Sequence, residues 1–283
     1  MQVREGIKET VKFSIKNYNE KIWGEHAKKL TKQGNLLALA KLQNSDLTFK
    51  SYIFNTKKGV LKFVLNATLD TLPTNANLLQ WGKVISDKCP LCKISRQTTS
   101  HILNGCKVSL NQKRFTWRHD GIVSYVSSCI DRTRYECVTD LPGESLPGGG
   151  TISPNVTVTP LRPDIVITDK KEKKIYLFEL TVPFELNIQK RHQEKENKYS
   201  HFLTEITQLK PSLVCWEIGS RGFIDQENKA RLKLLHNFCK KGLKFKTFME
   251  NISSLAVNAS YFLFINRKSP EWETPPLLNP SFK

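Results

Sequence analysis

No stretch of the chain approaches the roughly 20 consecutive apolar residues that a bilayer span requires. The longest clear apolar run, Tyr261 to Ile265, is short enough to be a core segment. Charge falls within the first residues, Met1–Gly6, where a secretory signal needs apolar ones, so no such signal is expected. No internal repeat is present, which argues against a solenoid. Acidic residues are scarce: 26 Asp and Glu face 44 Lys and Arg, giving a net charge of +18. That excess points to a polyanionic partner, either nucleic acid or a membrane surface. Residues 1–88 carry +8, residues 89–150 carry +3 and residues 151–283 carry +7. The excess is spread along the chain and not confined to a tail. This suits a surface that follows a nucleic-acid backbone, and no membrane partner is expected. The plainer alternative is a solubilising surface.

What is present describes a globular protein. The 283 residues suffice for one large or two ordinary domains with a buried core. Hydrophobic residues make up 39% and charged residues 25%, a profile unlike that of disordered chains. Residues 6–32 are basic and helix-compatible, with Ile7, Val11, Phe13, Ile15, Tyr18 and Ile22 as apolar markers. Residues 34–43 hold good helix formers, and 59–71 read as a further helix. In the latter, Leu61, Val64, Leu65, Ala67 and Leu69 supply an apolar face, and Pro73 closes it. Thr74 or Asn75 can cap a short helix through Trp81. Residues 1–88 are therefore expected to form a helical basic segment.

Residues 138–160 are rich in Gly, Pro, Ser and Thr and read as a linker or long loop. Beyond them the texture changes. Ile165–Thr168 and Ile175–Val182 read as strands joined by a charged turn, and the second reads as buried on both faces. A helix is expected from Asn187 to about Leu209, then a strand over Pro211–Ile218. Asp225 can cap a helix through Lys241, and a last helix is expected over Phe248–Asn266. Strand, turn, strand, helix, strand, helix is an α/β order.

Between these halves lies a run spaced Cys89-x2-Cys92-x8-His101-x4-Cys106. Two cysteines two residues apart can grip one ion from a tight turn. A His and a Cys four apart can do so from a helical turn. Four such ligands suit a closed, tetrahedral structural zinc site. Cys129, Cys137, Cys215 and Cys239 are scattered and read as core or neutral. Arg114, Trp117, Arg118 and His119 follow directly. Arginine interleaved with an aromatic can hold phosphates and stack on bases, although a plain charged helix face fits equally.

The most informative feature is Glu179. In the second strand Ile175, Leu177, Glu179 and Thr181 share one face, and Tyr176, Phe178, Leu180 and Val182 the other. An acid inside an apolar strand is costly to bury unless paired or bound to metal. Asp164 stands just before the first strand, and a two-stranded ribbon can bring it to Glu179. Two such oxygen ligands suit magnesium, and a nearby lysine can neutralise charge developing on a phosphate. The helix after Glu179 offers His192, Lys195, Lys198 and Tyr199. Of these, 192, 195 and 199 lie on one face. Glu185 is a spare acid. A hairpin edge with a salt-bridged Glu179 remains the alternative.

Cys89 to Cys106, Arg118-His-Asp120, Arg162-Pro-Asp-Ile165, Glu179-Leu-Thr-Val-Pro-Phe-Glu185, His192, Lys195 and Lys198-Tyr199 form an ordered series. With Leu72–Leu79 upstream and Glu217–Phe223 downstream, it resembles the C-terminal region of early-branching, site-specific non-LTR retrotransposon polyproteins. That region couples a CCHC zinc knuckle to a restriction-like endonuclease of the PD-(D/E)xK superfamily. The resemblance covers about residues 73–270.

It implies a mixed-sheet, restriction-endonuclease-like α/β core over 161–270, followed by a tail over 271–283. Before it would come a zinc knuckle with a basic helix over 89–137. The activity implied is a nick in target DNA whose 3′-hydroxyl primes reverse transcription, with a catalytically inactive nucleic-acid-binding module as the alternative. Asp164 and Glu179 would hold Mg2+ or Mn2+, Lys195 or Lys198 would be the catalytic lysine, and Cys89, Cys92, His101 and Cys106 would hold structural zinc. Arg118, His119, Arg162 and Tyr199 would meet nucleic acid: target DNA, with RNA of a retroelement as a further partner. Action in the nucleus is inferred from that substrate. Two departures stand out. Position 181 is Thr where the wider superfamily has Lys, so the lysine must come from the following helix. No Asp-Asp dipeptide occurs, so the family's polymerase is missing and a reverse transcriptase would be supplied elsewhere.

Overall fold

A computed structural model describes residues 2–30 and 56–278. Helix α1 is Gln2–Lys29, and its Ile7, Val11, Phe13, Ile15, Tyr18 and Ile22 are exposed. The helix expected over 34–43 lies outside the described residues. Helix α2, Lys58–Thr68, buries Val60, Phe63, Val64 and Ala67, an i, i+3, i+4, i+7 stripe. Leu65 and Leu69, expected on its apolar face, are exposed. The buried stripe is the one facing Ile102, Leu103, Val257 and Phe264. Helix α3, Asn75–Gln80, is capped by Thr74, whose hydroxyl accepts from the Asn77 N–H at 3.2 Å.

Two short helices follow the cysteine cluster: a π-helical turn His101–Gly105 and α4, Lys107–Asn111. Helix α5, Arg114–Cys129, then leads into the sheet. The four strands are β1 (Glu136–Thr139), β2 (Ile165–Asp169), β3 (Lys174–Thr181) and β4 (Lys210–Glu217), in that spatial order. β1 with β2 and β2 with β3 are antiparallel, while β3 with β4 is parallel. The sheet is therefore mixed and the fold α/β. Helix α6 (Ile188–Ser200) crosses between the parallel strands. After β4 come α7 (Gln226–His236), capped by Asp225, and α8 (Phe245–Ile265).

β1 was not expected. It enters the Gly/Pro-rich stretch from 138, and its Glu-Cys-Val-Thr sequence is too short and mixed to read as a strand. The helix expected to reach Leu209 ends at Ser200. A 3-10 turn, Phe202–Glu205, follows, and Phe202 and Ile206 are buried against Ile175 and Leu177.

β3 is covered on both sides, as its continuous apolar sequence requires. Ile175 and Leu177 pack with Tyr199 and Phe202 on the α6 side. Phe178 and Leu180 pack with Val214, Trp216, Ile122, Val126 and Ile252 on the other. The cysteine-rich segment is not a separate bead: Ile102 and Leu103 share a core with α2 and α8. Residues after α8 strap back over α5. Arg114 donates to the carbonyls of Asn266 and Ser269, and Trp117 Nε1 to Pro275. Arg114 lies over the Trp272 ring at 4.8 Å. Arg114 and Trp117 are both buried, so they anchor the C-terminal strap and present nothing to a phosphate or base.

Candidate active site and metal centre

The register of β2 on β3 decides the site. Ile165 pairs with Phe178, which sets Asp164, just before β2, opposite Glu179. The backbone stitches the two acids together. Asp164 N–H donates to Glu179 Oε2 at 3.3 Å, and Leu180 N–H donates to Asp164 Oδ2 at 2.6 Å. Glu179 is only 2% exposed. Burial at that position demands partners, and α6 brings two. Lys195 Nζ donates to Glu179 Oε1, and the Tyr199 hydroxyl donates to Oε2 at 3.0 Å. Lys198 is exposed. Its ammonium lies 4.6 Å from the centre of the Tyr199 ring and donates to the Tyr199 oxygen at 3.1 Å.

From the other side comes His119 on α5, with Nε2 3.1 Å from Asp164 Oδ2 and Nδ1 3.0 Å from Asp120 Oδ1. The charges divide accordingly. Burial works to lower the His119 pKa, but Asp164 and Asp120 outweigh it and raise it from 6.5 to about 10. Burial works to raise Asp164, yet the adjacent His119 imidazolium holds it below its ordinary range. Glu179 is pushed up by burial and by the charge of Asp164, against the pull of Lys195. Burial would lower Lys195, but Glu179 holds it up. The result is a pair of acids clamped between two cations on different helices.

The His119 pairing gives a direct prediction. Its folded pKa lies above the ordinary 6.5, so its contribution to stability is complete below pH 6.5 and is lost as pH rises through about 10. Proton NMR should find its imidazole protonated at pH 8, and Asp164→Asn should bring the midpoint down toward the ordinary histidine range. A wild-type midpoint near 6.5 would show that the His119–Asp164 pair does not form.

Other expected contacts with nucleic acid are placed differently. Arg118 is 2% exposed and donates to Ser260 Oγ at 2.9 Å and to the Val182 carbonyl at 3.0 Å. Burial lowers its pKa to about 10, opposed by Glu185. It is an interior brace and cannot meet a phosphate, because α5 turns it toward α8 while its neighbour His119 faces the acids. Tyr199 is fully buried and serves Glu179, not a base. Arg162, two residues before Asp164, is half-exposed and paired with Asp140. Glu185 is no spare acid: its carboxylate is buried against Arg221 at 2.7 Å.

Sequence reasoning missed Glu217. It is fully buried at the end of β4, opposite Thr181 in register. Its Oε1 lies 3.0 Å from His192 Nδ1, and its Oε2 lies 3.6 Å from Arg231 Nη1. The signal was the one that marked Glu179, an acid in an apolar strand. His192, expected beside Glu179, therefore serves Glu217 one turn away.

The cysteine cluster is built from two turns. Cys89 and Cys92 lie in a small hairpin closed by Cys89 N–H to Ser95 O at 2.8 Å, with Lys93 in the left-handed region at φ 62°. His101 and Cys106 bracket the π-helical turn. Cys89 Sγ and Cys106 Sγ are 4.0 Å apart, and Cys92 Sγ and His101 Nε2 are 3.5 Å apart. All four ligand atoms lie within 4.8 Å of one another. A tetrahedral zinc ion would need S–S and S–N edges of about 3.8 and 3.5 Å. The four residues can hold a metal ion, and the cage has the size zinc requires. Burial pushes the Cys89 thiol up to about 11, so a bound cation would have to displace its proton. Among the described residues, no helix is long and apolar enough to cross a membrane. No known protein-family model matches the chain, and no curated protein is significantly similar to it.

Proposed function

We propose that the chain is a magnesium- or manganese-dependent DNA endonuclease of the restriction-like type, with a zinc-stabilised knuckle bound to its side. The observation that carries this reading is the meeting of Asp164 and Glu179 at one strand end, with Lys195 on Glu179. Two carboxylates can hold a divalent ion that activates water and stabilises the leaving oxygen, and a lysine beside them can neutralise charge developing on the phosphate. The donor chemistry fits magnesium, which binds through one or two carboxylates, keeps several waters and takes up substrate phosphate. Both hydrogen bonds to the Asp164 carboxylate fall on Oδ2, which leaves Oδ1 for a ligand. When bound, the ion would polarise the phosphodiester and supply an activated water.

The chain's own groups do the rest. Asp164, kept ionised by His119, offers a permanent charge to the ion. Glu179, its pKa raised by burial and by Asp164, would join it as the carboxylate. Lys195, 30% exposed in its side chain, can swing from Glu179 to a phosphate oxygen and stabilise charge developing there. Tyr199 holds the second oxygen of Glu179 in place. His119 is a cation, so it can steady Asp164 and face a phosphate but cannot accept a proton from water near neutrality. The spread of positive charge over the chain supports a DNA backbone as the ligand, with the nucleus as the place of action. Nicking for target-primed reverse transcription, with a polymerase and retroelement RNA supplied elsewhere, is the biological setting the resemblance suggests.

Of the two lysines, the geometry favours Lys195. Lys195→Ala should reduce metal-dependent nicking of plasmid by about 10²–10³-fold. Lys198→Ala, which removes a cation over the Tyr199 ring and its hydrogen bond to the Tyr199 oxygen but no contact with either acid, should cost about tenfold or less. The reverse ranking would move the catalytic lysine to 198. Equal, wild-type rates for both would leave the reaction without its lysine and count against hydrolysis at this site.

A further inference from the structure

β3 ends at Thr181, and the next carbonyl, that of Val182, lies three residues from Glu179. It receives two side-chain donors from elsewhere in the chain. Arg118 Nη2 reaches it from α5 at 3.0 Å. Asn104 Nδ2 reaches it from the cysteine cluster at 2.7 Å. Asn104 sits in the π-helical turn between two of the metal-binding side chains, His101 and Cys106. A single π turn is not a stable local structure. Ile102 and Leu103 hold this one sideways, packed against Val60, Phe63, Val257 and Phe264. Its first end is tied to Thr98 by His101 N–H to Oγ1 at 3.1 Å and Ile102 N–H to O at 3.0 Å, and the ligand cage joins both ends to the Cys89–Cys92 hairpin.

The Asn104 amide is also oriented. Its Nδ2 faces the Val182 oxygen, and its Oδ1 is buried without a hydrogen-bond partner. Nothing in the turn holds the amide that way apart from the carbonyl it meets. Beyond Val182 the strand end is tied by Ile218 N–H to Thr181 O at 3.1 Å and Ser220 N–H to Pro183 O at 2.8 Å. Among the described residues, the Asn104 bond to Val182 O is the hydrogen bond that ties this stretch to the cluster.

We propose that metal in the cysteine cluster positions the strand that carries Glu179, acting through Asn104 on the Val182 carbonyl. Occupancy fixes the π-helical turn, the turn aims Asn104, and Asn104 fixes the exit of β3. Asn104 is thus a positioning residue that touches neither acid. The coupling does not depend on the nuclease reading. Its consequence for cleavage does.

The test is hydrogen exchange of the full chain, read over residues 174–185 and over the cluster, with zinc content measured in parallel. Asn104→Ala with one zinc per chain should speed exchange at the β3 exit by about fivefold, the effect of about 1 kcal/mol for one buried hydrogen bond. Exchange over 89–103 should be unchanged. Asn104→Asp, of nearly the same shape but without the donor, should do at least as much. Wild type stripped of zinc should show the same acceleration at the β3 exit. If the stripped protein unfolds as a whole, the zinc-loaded variants decide. Wild-type protection at the β3 exit in zinc-loaded Asn104→Ala and Asn104→Asp would overturn the proposal. So would full protection there in stripped protein that stays folded. If exchange shifts as expected while the wild type cuts no DNA, the coupling stands and the nuclease reading falls.

Discussion

Asp164→Asn should lower metal-dependent nicking by about 10³-fold while changing DNA affinity by about threefold or less. Asparagine keeps the shape of the side chain and an oxygen to accept from Leu180 N–H, now at 2.6 Å. What it removes is charge. Asp164 is the acid that His119 keeps ionised, and Glu179 is the one pushed toward protonation, so the permanent negative charge of the pair resides on Asp164. Without it a divalent cation loses the acid that His119 holds in its charged form and meets one remaining carboxylate, already engaged by the Lys195 ammonium. Affinity for DNA should survive because it comes from many basic groups spread over the chain, of which none is altered. The measurement is single-turnover nicking beside a binding titration at one salt concentration. A variant that binds and nicks like wild type would remove Asp164 from the reaction.

Arg221→Ala should cost about 3–5 kcal/mol of stability, the usual result of stripping one partner from a buried ion pair. Arg221 Nε donates to Glu185 Oε2, and its own backbone N–H donates to Oε1, both at 2.7 Å. Nη1 donates to the Ala67 carbonyl at the end of α2 at 3.0 Å, and the guanidinium stacks over Phe184 at 4.4 Å. Removing it leaves the buried Glu185 carboxylate without its cation and takes away one hydrogen bond to the end of α2. Space for adjustment is small, because a Cβ on Gly219 would lie 2.4 Å from Glu185 Oε1. Thermal melting should show a midpoint lower by about 10 °C. Adding Glu185→Gln to the variant should recover part of the loss, since the carboxylate stripped of Arg221 is then replaced by a neutral amide. A fall under about 1 kcal/mol would mean that water reaches Glu185.

These two residues also show what the sequence could and could not convey. Asp164 and Glu179 were legible because period-two alternation assigns faces along a strand, and an acid on an apolar strand needs a reason. The helical spacing of 192, 195 and 199 was legible for the same kind of reason, and all three do turn toward the sheet. Which acid each meets was not legible, because that depends on how far α6 is shifted along β4. Arg118 and His119 are adjacent, basic and polar, and sequence treats them alike. Only the packing of α5 against α8 sends one into the interior and the other to Asp164. β1 was invisible because four residues with one clear apolar side chain carry no periodic signal. Arg221 and Glu185 are 36 residues apart and belong to no shared pattern, so their pairing appears only when the chain is folded.

Relaxation of supercoiled plasmid by the purified, zinc-loaded wild-type protein, with and without magnesium, tests the central claim most directly. The proposed nuclease gives open-circular product that requires magnesium or manganese and is absent with Asp164→Asn and Glu179→Gln. Intact supercoiled plasmid after long incubation with protein that is folded, zinc-loaded and bound to it would contradict the account and leave a nucleic-acid-binding module in its place.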